Sequence, residues 1–416
     1  MVIGHRMAAV DAQFYWMSAK VPSDQFLLYA FDGEPDDLDL AVDRVRGRAR
    51  ACADLSMRVA DDCPARYPRW VPTPVQPDQI VHHELGEPSD DWDGCLAAVV
   101  GLAAHQLDIR QMAWRLHVFA PVCGIPGVSG PGAVAVLQVA HALGDGARAS
   151  AMAAWLFGRP APVPTIAATP AGFPPRLVVA AARAHRQLVR DTDAGLVAPG
   201  VGLRPLVATN ARPGADRAVR TLVRRRGQIF GPTVTVGVLA SVAEALAEWL
   251  GGETDSLGAE VPMAKPGAPR AYNHFGNAVV GLYPALARAD RIARITGDLA
   301  NSRRRFEHPA TRASDRAFAA VPAALLRWGV SQFDPDVRPT QVAGNTVVSS
   351  VNRGADDLRF GGAPVTLTAG YPALSSVMGL THGVHGIGDT VAISVHAARS
   401  AVTDIDGYLR VLDAAL

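Results

Sequence analysis

The spacing of apolar residues predicts several amphipathic helices along the chain. Apolar side chains recur every three or four positions in segments 36–52, 94–106, 176–191 and 232–250, which is typical of helices with one buried face. A fifth helix is predicted at residues 403–416, where the acidic stretch TDID precedes YLRVLDAAL. Predicted helices therefore occur in both halves of the chain.

Short apolar or alternating runs between Gly, Pro and Asp predict strands. In the first half, the branched run AVAVLQVA at residues 133–140 predicts a buried strand, followed by a tight turn and a helix. After residue 250 the pattern becomes strand-rich, with predicted strands at 277–286, 345–352, 364–372 and 389–397. The chain between residue 250 and the last helix is thus expected to be rich in strands.

The predicted helix at 176–191 separates apolar from basic side chains. One face carries Leu177, Ala181, Ala184 and Leu188, and another carries three arginines. Such a helix can lie on an anionic membrane. A solvated charged face above an apolar face packed on the core is the commoner arrangement, and we expect it here.

The length of 416 residues predicts two lobes of about 200 residues each, because one hydrophobic core rarely serves so long a chain. Six prolines between residues 160 and 175 exclude a helix or a central strand there. We therefore predict an N-terminal lobe at 1–190, a C-terminal lobe at 215–416 and a crossing segment at about 160–175.

Charge and motifs exclude several function classes. The 40 basic residues balance the 39 acidic residues, so there is no net field to attract nucleic acid. The four cysteines form no C-x-x-C pair, which argues against a zinc site or a redox dithiol. The chain has neither a P-loop nor a G-x-G-x-x-G motif, so no nucleotide cofactor is expected.

Hydropathy predicts no membrane-spanning segment. The N-terminus has no apolar stretch of signal-peptide length, and no run reaches about 18 apolar residues. We expect a cytoplasmic protein, with at most peripheral contact with the inner membrane surface or a lipid droplet.

The segment QVAHALGDGARAS at residues 138–150 contains the best candidate for catalysis. His141 ends the predicted buried strand, where a side chain can face a cleft, and the two glycines after it let a substrate approach the backbone. A neutral imidazole can take a proton from a hydroxyl or amine that attacks a carbonyl. A histidine beside a core is more often structural, so both interpretations stay open here.

Other candidate residues near and beyond this segment are less clear. Asp145 either orients the imidazole or holds the loop, and spacing alone does not decide. Ser129 in GVSGPG does not fit the G-x-S-x-G motif of serine hydrolases. His382 and His385 have a spacing that suits a metal, but with no third ligand we expect a glycine-rich loop and no metal site.

The stretch AHALGDG resembles the HHxxxDG signature of the acyl-CoA-dependent acyltransferase superfamily, which includes condensation domains and chloramphenicol acetyltransferase. Over most of its length the chain is similar to the bacterial wax ester synthase/diacylglycerol acyltransferase (WS/DGAT) family. AAVDAQFY resembles the family's SPLDAMF, QLDIRQMAWRLHVF its PLDRxxPLWxxxLI, and NHFGNAVVGLYP its GN…LP segment. VVSSVNRG, followed by FGGAPVTLTAGYP, resembles its SNVPGP…GA…YP run, so the matches follow the family's order.

The resemblance implies an α/β fold of two chloramphenicol-acetyltransferase-like lobes, with mixed sheets, flanking helices and a channel between the lobes. His141 corresponds to the second, catalytic histidine of the motif, and Asp145 and Gly146 correspond to its DG, where the aspartate is structural. The implied reaction is direct acyl transfer from acyl-CoA to an alcohol or diacylglycerol, with His141 as general base. Acyl-CoA and a hydroxyl-bearing lipid are then the partners, and no cofactor is needed.

Substrate contacts follow from the same resemblance. Trp114 matches the tryptophan of PLW, and Gly276 and Asn277 match the GN pair. A buried tryptophan usually serves packing, and Asn277 can equally cap a turn.

The chain also departs from the family pattern. Ala140 replaces the first motif histidine, and Thr235 and Val236 stand where the family has an Asn-Asp pair. Two alternatives therefore stay open. One is a specialised acyltransferase or condensation-type enzyme for a polyketide, glycolipid or carrier-bound acyl group, and the other is a lipid-binding homologue without turnover.

Overall fold

The structure of the protein is a computed structural model that describes residues 4–86, 90–166, 175–252 and 256–416. Half of the predicted proline-rich crossing segment at about 160–175, residues 167–174, lies outside the described residues. The described chain combines α-helices with four β-sheets, which agrees with the predicted α/β class.

Helices flank the sheets throughout the chain. They are α1 (Ala9–Ser18), α2 (Leu38–Ala51), α3 (Trp92–Leu102), α4 (Gly146–Leu156), α5 (Pro175–Asp193), α6 (Val234–Trp249), α7 (Arg288–Glu307), α8 (Pro309–Ala319), α9 (Ala323–Ser331) and α10 (Ile405–Ala415). The five helices predicted from apolar spacing are confirmed as α2, α3, α5, α6 and α10.

The strands predicted after residue 250 are present as β11, β13, β15 and β17, but helices α7, α8 and α9, which were not predicted, also lie between residue 250 and the last helix. These helices are mostly solvated, and Ile295 is the buried apolar residue of α7. Because so few apolar residues are buried, the sequence here shows little of the three- to four-residue apolar spacing that predicts a helix.

The strands are mostly short. They are β1 (His5–Arg6), β2 (Gln25–Phe31), β3 (Met57–Ala60), β4 (Arg69–Pro72), β5 (Ile80–His83), β6 (Trp114–Val122), β7 (Gly132–Val139), β8 (Arg204–Pro205), β9 (Arg217–Arg225), β10 (Gly258–Ala264), β11 (Phe275–Gly281), β12 (Gln341–Val342), β13 (Thr346–Asn352), β14 (Arg359–Phe360), β15 (Ala363–Gly370), β16 (Leu380–Ile387) and β17 (Thr390–Ala398).

Two mixed six-stranded sheets form the centre of the molecule. The N-sheet has the order β14-β15-β2-β7-β6-β5, and the C-sheet has the order β11-β10-β13-β16-β17-β9. Strands β1, β4 and β3 form a small sheet, and β8 pairs with β12. Strand β7 is buried along its whole length, as its unbroken apolar run predicts.

The second half of the chain contributes strands to the N-sheet. Strand β15 pairs antiparallel with β2, so a segment predicted for the C-terminal lobe completes the sheet of the first half. The lobe boundaries at 1–190 and 215–416 stay a prediction. The structure adds that β15, from the second half of the chain, belongs to the N-sheet.

The histidine pair His382 and His385 lies in strand β16, between β13 and β17, so the expected glycine-rich loop was wrong. Glycine is needed in this strand for packing. A Cβ on Gly383 would come within 2.1 Å of the carbonyl oxygen of Gly370. Close approach of β15 and β16 thus requires glycine. Three positions apart on a strand, the two histidines face opposite sides of the sheet.

Helix α5 packs against α8 instead of against the central core. None of its residues is buried, and the predicted apolar face of Leu177, Ala181, Ala184 and Leu188 is half-buried. The expected core-packed face was therefore wrong. In the described part of the chain, no helix combines the length and apolar character that crossing a bilayer requires. Contact of this helix with a membrane stays a prediction.

Candidate active site

His141 lies where the chain leaves the N-sheet. It follows β7 and begins a single 3₁₀ turn, His141–Leu143, before α4 starts at Gly146. The predicted order of strand, turn and helix is confirmed. The turn carries the side chain away from the buried strand and towards a cleft.

Aromatic side chains enclose the imidazole of His141. Its ring stacks on Phe14, with centroids 4.1 Å apart and planes 6° apart, and Phe275 lies 5.8 Å away. Burial lowers the pKa of His141 below its ordinary value of 6.5, because the charged form loses hydration there. The imidazole is therefore neutral at pH 7 and able to accept a proton.

Asn273 determines which nitrogen of His141 carries the proton. Its Nδ2 donates to Asp11 Oδ1 over 3.0 Å and to the carbonyl oxygen of His141 over 2.8 Å. This orients Asn273 Oδ1 towards His141 Nδ1, at 3.0 Å. An amide oxygen only accepts, so Nδ1 is the protonated nitrogen and Nε2 keeps its lone pair.

Asp11 of α1 fixes Asn273 in turn. The carboxylate is 2 % exposed and accepts the backbone N–H groups of Tyr272 and Asn273, each over 2.9 Å. Burial raises the pKa of Asp11 to about 6, although these hydrogen bonds oppose the shift. The loop before β11 is thus held against α1 and against the histidine turn.

Sequence reasoning missed both Asp11 and Asn273 as site residues. They lie in AAVDAQFY and NHFGN, two of the segments that resemble the WS/DGAT family. The signal was therefore present, but nothing local showed that the two side chains meet at His141.

Asp145 joins the same loop to helix α4. Its Oδ1 accepts from the backbone N–H of Arg148 as the helix N-cap, and its Oδ2 accepts from the N–H of His274, both over 3.0 Å. This geometry is that of a loop anchor. Gly146 lies beside strand β13, since a Cβ there would come within 3.3 Å of Val351.

A narrow, solvent-open cleft lies in front of His141. The walls of the cleft carry apolar side chains, from Phe14, Leu107 and Ile109, and polar groups, from Tyr15, Ser18 and Asp24. No lysine or arginine is among the residues that line it. A ligand with an apolar body and an uncharged or cationic polar group would be complementary to these walls.

The three residues predicted to contact substrate do not line this cleft. Trp114 is fully buried in the N-sheet and donates from Nε1 to the carbonyl oxygen of Leu55 over 2.8 Å. Asn277 is exposed on β11 and donates to Glu260 over 3.2 Å. Gly276 is packed beside Phe306, which a Cβ would approach to 3.0 Å.

Comparison with known proteins gives a family match for the C-terminal part of the chain. Residues 271–416 match the family model of the WS/DGAT C-terminal domain. The fold is similar to that of the wax ester synthase/diacylglycerol acyltransferase from Marinobacter aquaeolei VT8, with 18% identity, a TM-score of 0.63, and 99% of this chain and 97% of that chain covered. No curated protein matches the chain in sequence.

Condensation domains share this fold. The first condensation domain of the CDA synthetase is 15% identical, with a TM-score of 0.62 and coverage of 99% of this chain and 96% of that one. The starter condensation domain of rhizomide synthetase, in complex with C8-CoA and Leu-SNAC, is 13% identical, with a TM-score of 0.61 and coverage of 100% and 94%. The predicted two-lobed fold is confirmed.

The C-terminal match and the fold of the whole chain agree with the resemblance found in the sequence. Residues 271–416 therefore match the C-terminal domain of the WS/DGAT family, and the whole chain has the fold that the Marinobacter wax ester synthase/diacylglycerol acyltransferase shares with condensation domains.

Proposed function

We propose that the protein transfers a fatty acyl group from acyl-CoA to the hydroxyl of an alcohol or diacylglycerol, with His141 as general base. The observation that supports this role is the hydrogen bond from His141 Nδ1–H to Asn273 Oδ1, which leaves Nε2 free to accept a proton. A base must lie within hydrogen-bond reach of the proton that it takes, and Nε2 belongs to a side chain that lines the cleft.

In the proposed reaction the acceptor oxygen attacks the thioester carbonyl carbon while His141 Nε2 takes the hydroxyl proton. The C–S bond then breaks, and the leaving CoA thiolate takes this proton from the imidazolium. The negative charge of Asp145 favours the imidazolium during this step, because it raises the pKa of His141 against the effect of burial.

Acyl-CoA already carries an activated acyl group, so the proposed transfer needs no further cofactor and no covalent intermediate on the protein. The complex of the rhizomide synthetase domain with C8-CoA supports a CoA thioester as donor, since the two chains share a fold. The acceptor is proposed to lie in the cleft beside His141, whose walls offer no cation for the phosphates of CoA.

The test is release of free CoA thiol from long-chain acyl-CoA in the presence of long-chain alcohols, diacylglycerol and polar hydroxyl compounds. His141→Ala should lower acceptor-dependent release by about 10²- to 10⁴-fold, the usual contribution of a general base. His185→Ala, which removes an exposed histidine of α5, is the matched control and should keep the wild-type rate.

Three results would count against the proposal in different ways. Full turnover by His141→Ala would exclude this histidine as the base. Activity only with an acyl group on a carrier protein would favour the condensation-type alternative. Tight binding of acyl-CoA without product under any acceptor would favour a lipid-binding homologue.

A further inference from the structure

A carboxylate outside the proposed proton transfer lines the cleft together with His141. Asp24 directly precedes β2 and is half-buried. Its Oδ2 accepts from the backbone N–H of Leu107 over 2.8 Å and from Gln138 Nε2 over 2.7 Å. Among the described residues, no group donates to Oδ1. Oδ2 is thus bound within the protein, and Oδ1 has no partner in the part of the chain that the structure describes.

A buried chain of hydrogen bonds fixes the orientation of Asp24. Gln138 Nε2 donates to Asp24 and also to the carbonyl oxygen of His105, over 2.8 Å. Its Oε1 must then accept from His117 Nε2, at 3.0 Å. His117 Nδ1 faces His83 Nε2 at 2.9 Å. These contacts leave Gln138 one orientation, and Gln138 gives Asp24 one orientation.

The network supplies no positive charge to Asp24. Burial lowers the pKa of His117 to about 4, so this histidine is neutral at pH 7. Within the described ranges Asp24 forms no ion pair, and burial raises the pKa of its carboxyl. The cleft walls add no lysine or arginine. The carboxylate is therefore short of donors in a partly apolar site.

An oxygen in this state is stabilised by any donor that a ligand brings, and most by a charge-assisted hydrogen bond. It also repels phosphates and free fatty acids. The complementary ligand is therefore an uncharged or cationic molecule with a donor group near its reacting hydroxyl.

We propose that Asp24 Oδ1 binds a second hydrogen-bond donor of the acceptor, a hydroxyl or an amino group, while the first hydroxyl lies at His141. This inference rests on the proposed acyl transfer and names the acceptor class as a lipid with two polar groups close together. Asp24 then makes the protein discriminate against a simple long-chain alcohol and also against diacylglycerol, whose ester groups only accept hydrogen bonds, so that of the acceptors proposed above a diol or amino alcohol is favoured.

Asp24→Asn is a sharp test because it keeps the internal hydrogen bonds. The amide oxygen of asparagine has to accept from Leu107 and Gln138, which turns its NH₂ group towards the cleft. The variant therefore replaces an acceptor by a donor at one position. Asp32→Asn makes the same chemical change on an exposed residue at the other end of β2 and is the matched control.

The experiment compares kcat/KM for 1-hexadecanol, hexadecane-1,2-diol and 2-aminohexadecan-1-ol with one long-chain acyl-CoA. In the wild-type protein and in Asp32→Asn, the diol and the amino alcohol should exceed hexadecanol by about tenfold or more, the size expected for a hydrogen bond to a charged group. Asp24→Asn should abolish the preference for the amino alcohol over hexadecanol, because its ammonium group can only donate, and should reduce the preference for the diol; the ratio of kcat/KM values within each protein is what the test compares. A larger loss for the amino alcohol than for the diol identifies the cation as the better ligand.

Equal kcat/KM values for the three acceptors in the wild-type protein would overturn the inference, whether or not the variant folds. An equal loss for all acceptors in Asp24→Asn would also overturn it, because it would make Asp24 a structural residue or a contact of acyl-CoA. If no acceptor is acylated, the proposed function fails. The subsite at Asp24 is then tested separately by calorimetry, which measures the affinities of the same proteins for the diol and for hexadecanol. Equal affinities would then refute the subsite.

Discussion

At the scale of single residues, the protonation state and the tautomer of the proposed base are set by the side chains around it. His141 is kept neutral by its aromatic surroundings, its tautomer is set by Asn273, and Asn273 is held by Asp11. His141 could be predicted from its place at the end of a strand. The other two could not, because 132 positions separate Asn273 from His141 and 262 separate it from Asp11, and no local pattern records such contacts.

Asn273→Ala tests the control of the tautomer. Without Asn273 Oδ1, the imidazole can turn or carry its proton on Nε2, where it is no base. We expect kcat to fall by about ten- to a hundredfold, a part of the full general-base contribution, with little change in KM. Steady-state kinetics with one alcohol and acyl-CoA measure both parameters. An unchanged kcat in a variant with the wild-type circular dichroism spectrum would contradict this role.

At the scale of elements, the turn between β7 and α4 was the most predictable part of the site. Its buried strand, its glycines and the N-cap Asp145 are all local features. Strand β16 was not predictable in this way, because its glycines serve contact with β15, which lies in the other sheet. Local sequence patterns therefore predict an element that is stabilised by residues close to it in the sequence. They fail for an element that is stabilised by contact with a strand far away in the sequence.

Asp145→Ala tests the anchor at the start of α4. The variant loses a helix cap and leaves the N–H of His274 without its acceptor, so the free energy of unfolding should fall by about 2–3 kcal/mol. The rate of acyl transfer should fall as well, because the loop that carries Asn273 is released.

Asp37→Ala is the matched control for this prediction. Asp37 caps α2 through the N–H of Leu40 alone and is exposed, so only the cap is lost, at about 1 kcal/mol. Denaturant unfolding of both variants gives the comparison. Equal losses of stability, or a wild-type rate in Asp145→Ala, would contradict the anchoring role.

At the scale of the whole molecule, the site is assembled from distant parts of one chain. Helix α1, the turn after β7 and the loop before β11 all meet at His141, and β15 from the second half completes the N-sheet. The two-lobed fold could be predicted because the family resemblance extends over most of the sequence. The pairing of β15 with β2 could not be predicted, because the spacing of apolar residues does not show which strands pair.

The central claim is that neutral His141 is the base, and the pH dependence of kcat/KM tests it most directly. The wild-type protein should gain activity as the pH rises from 5, with a midpoint below 6.5, and should reach a plateau by pH 7, because burial lowers the pKa of His141 and only the neutral ring accepts a proton. His141→Ala, measured beside it, should stay near background at every pH. A wild-type rate in that variant, or an activity that falls as the pH rises from 5 to 7, would contradict the account.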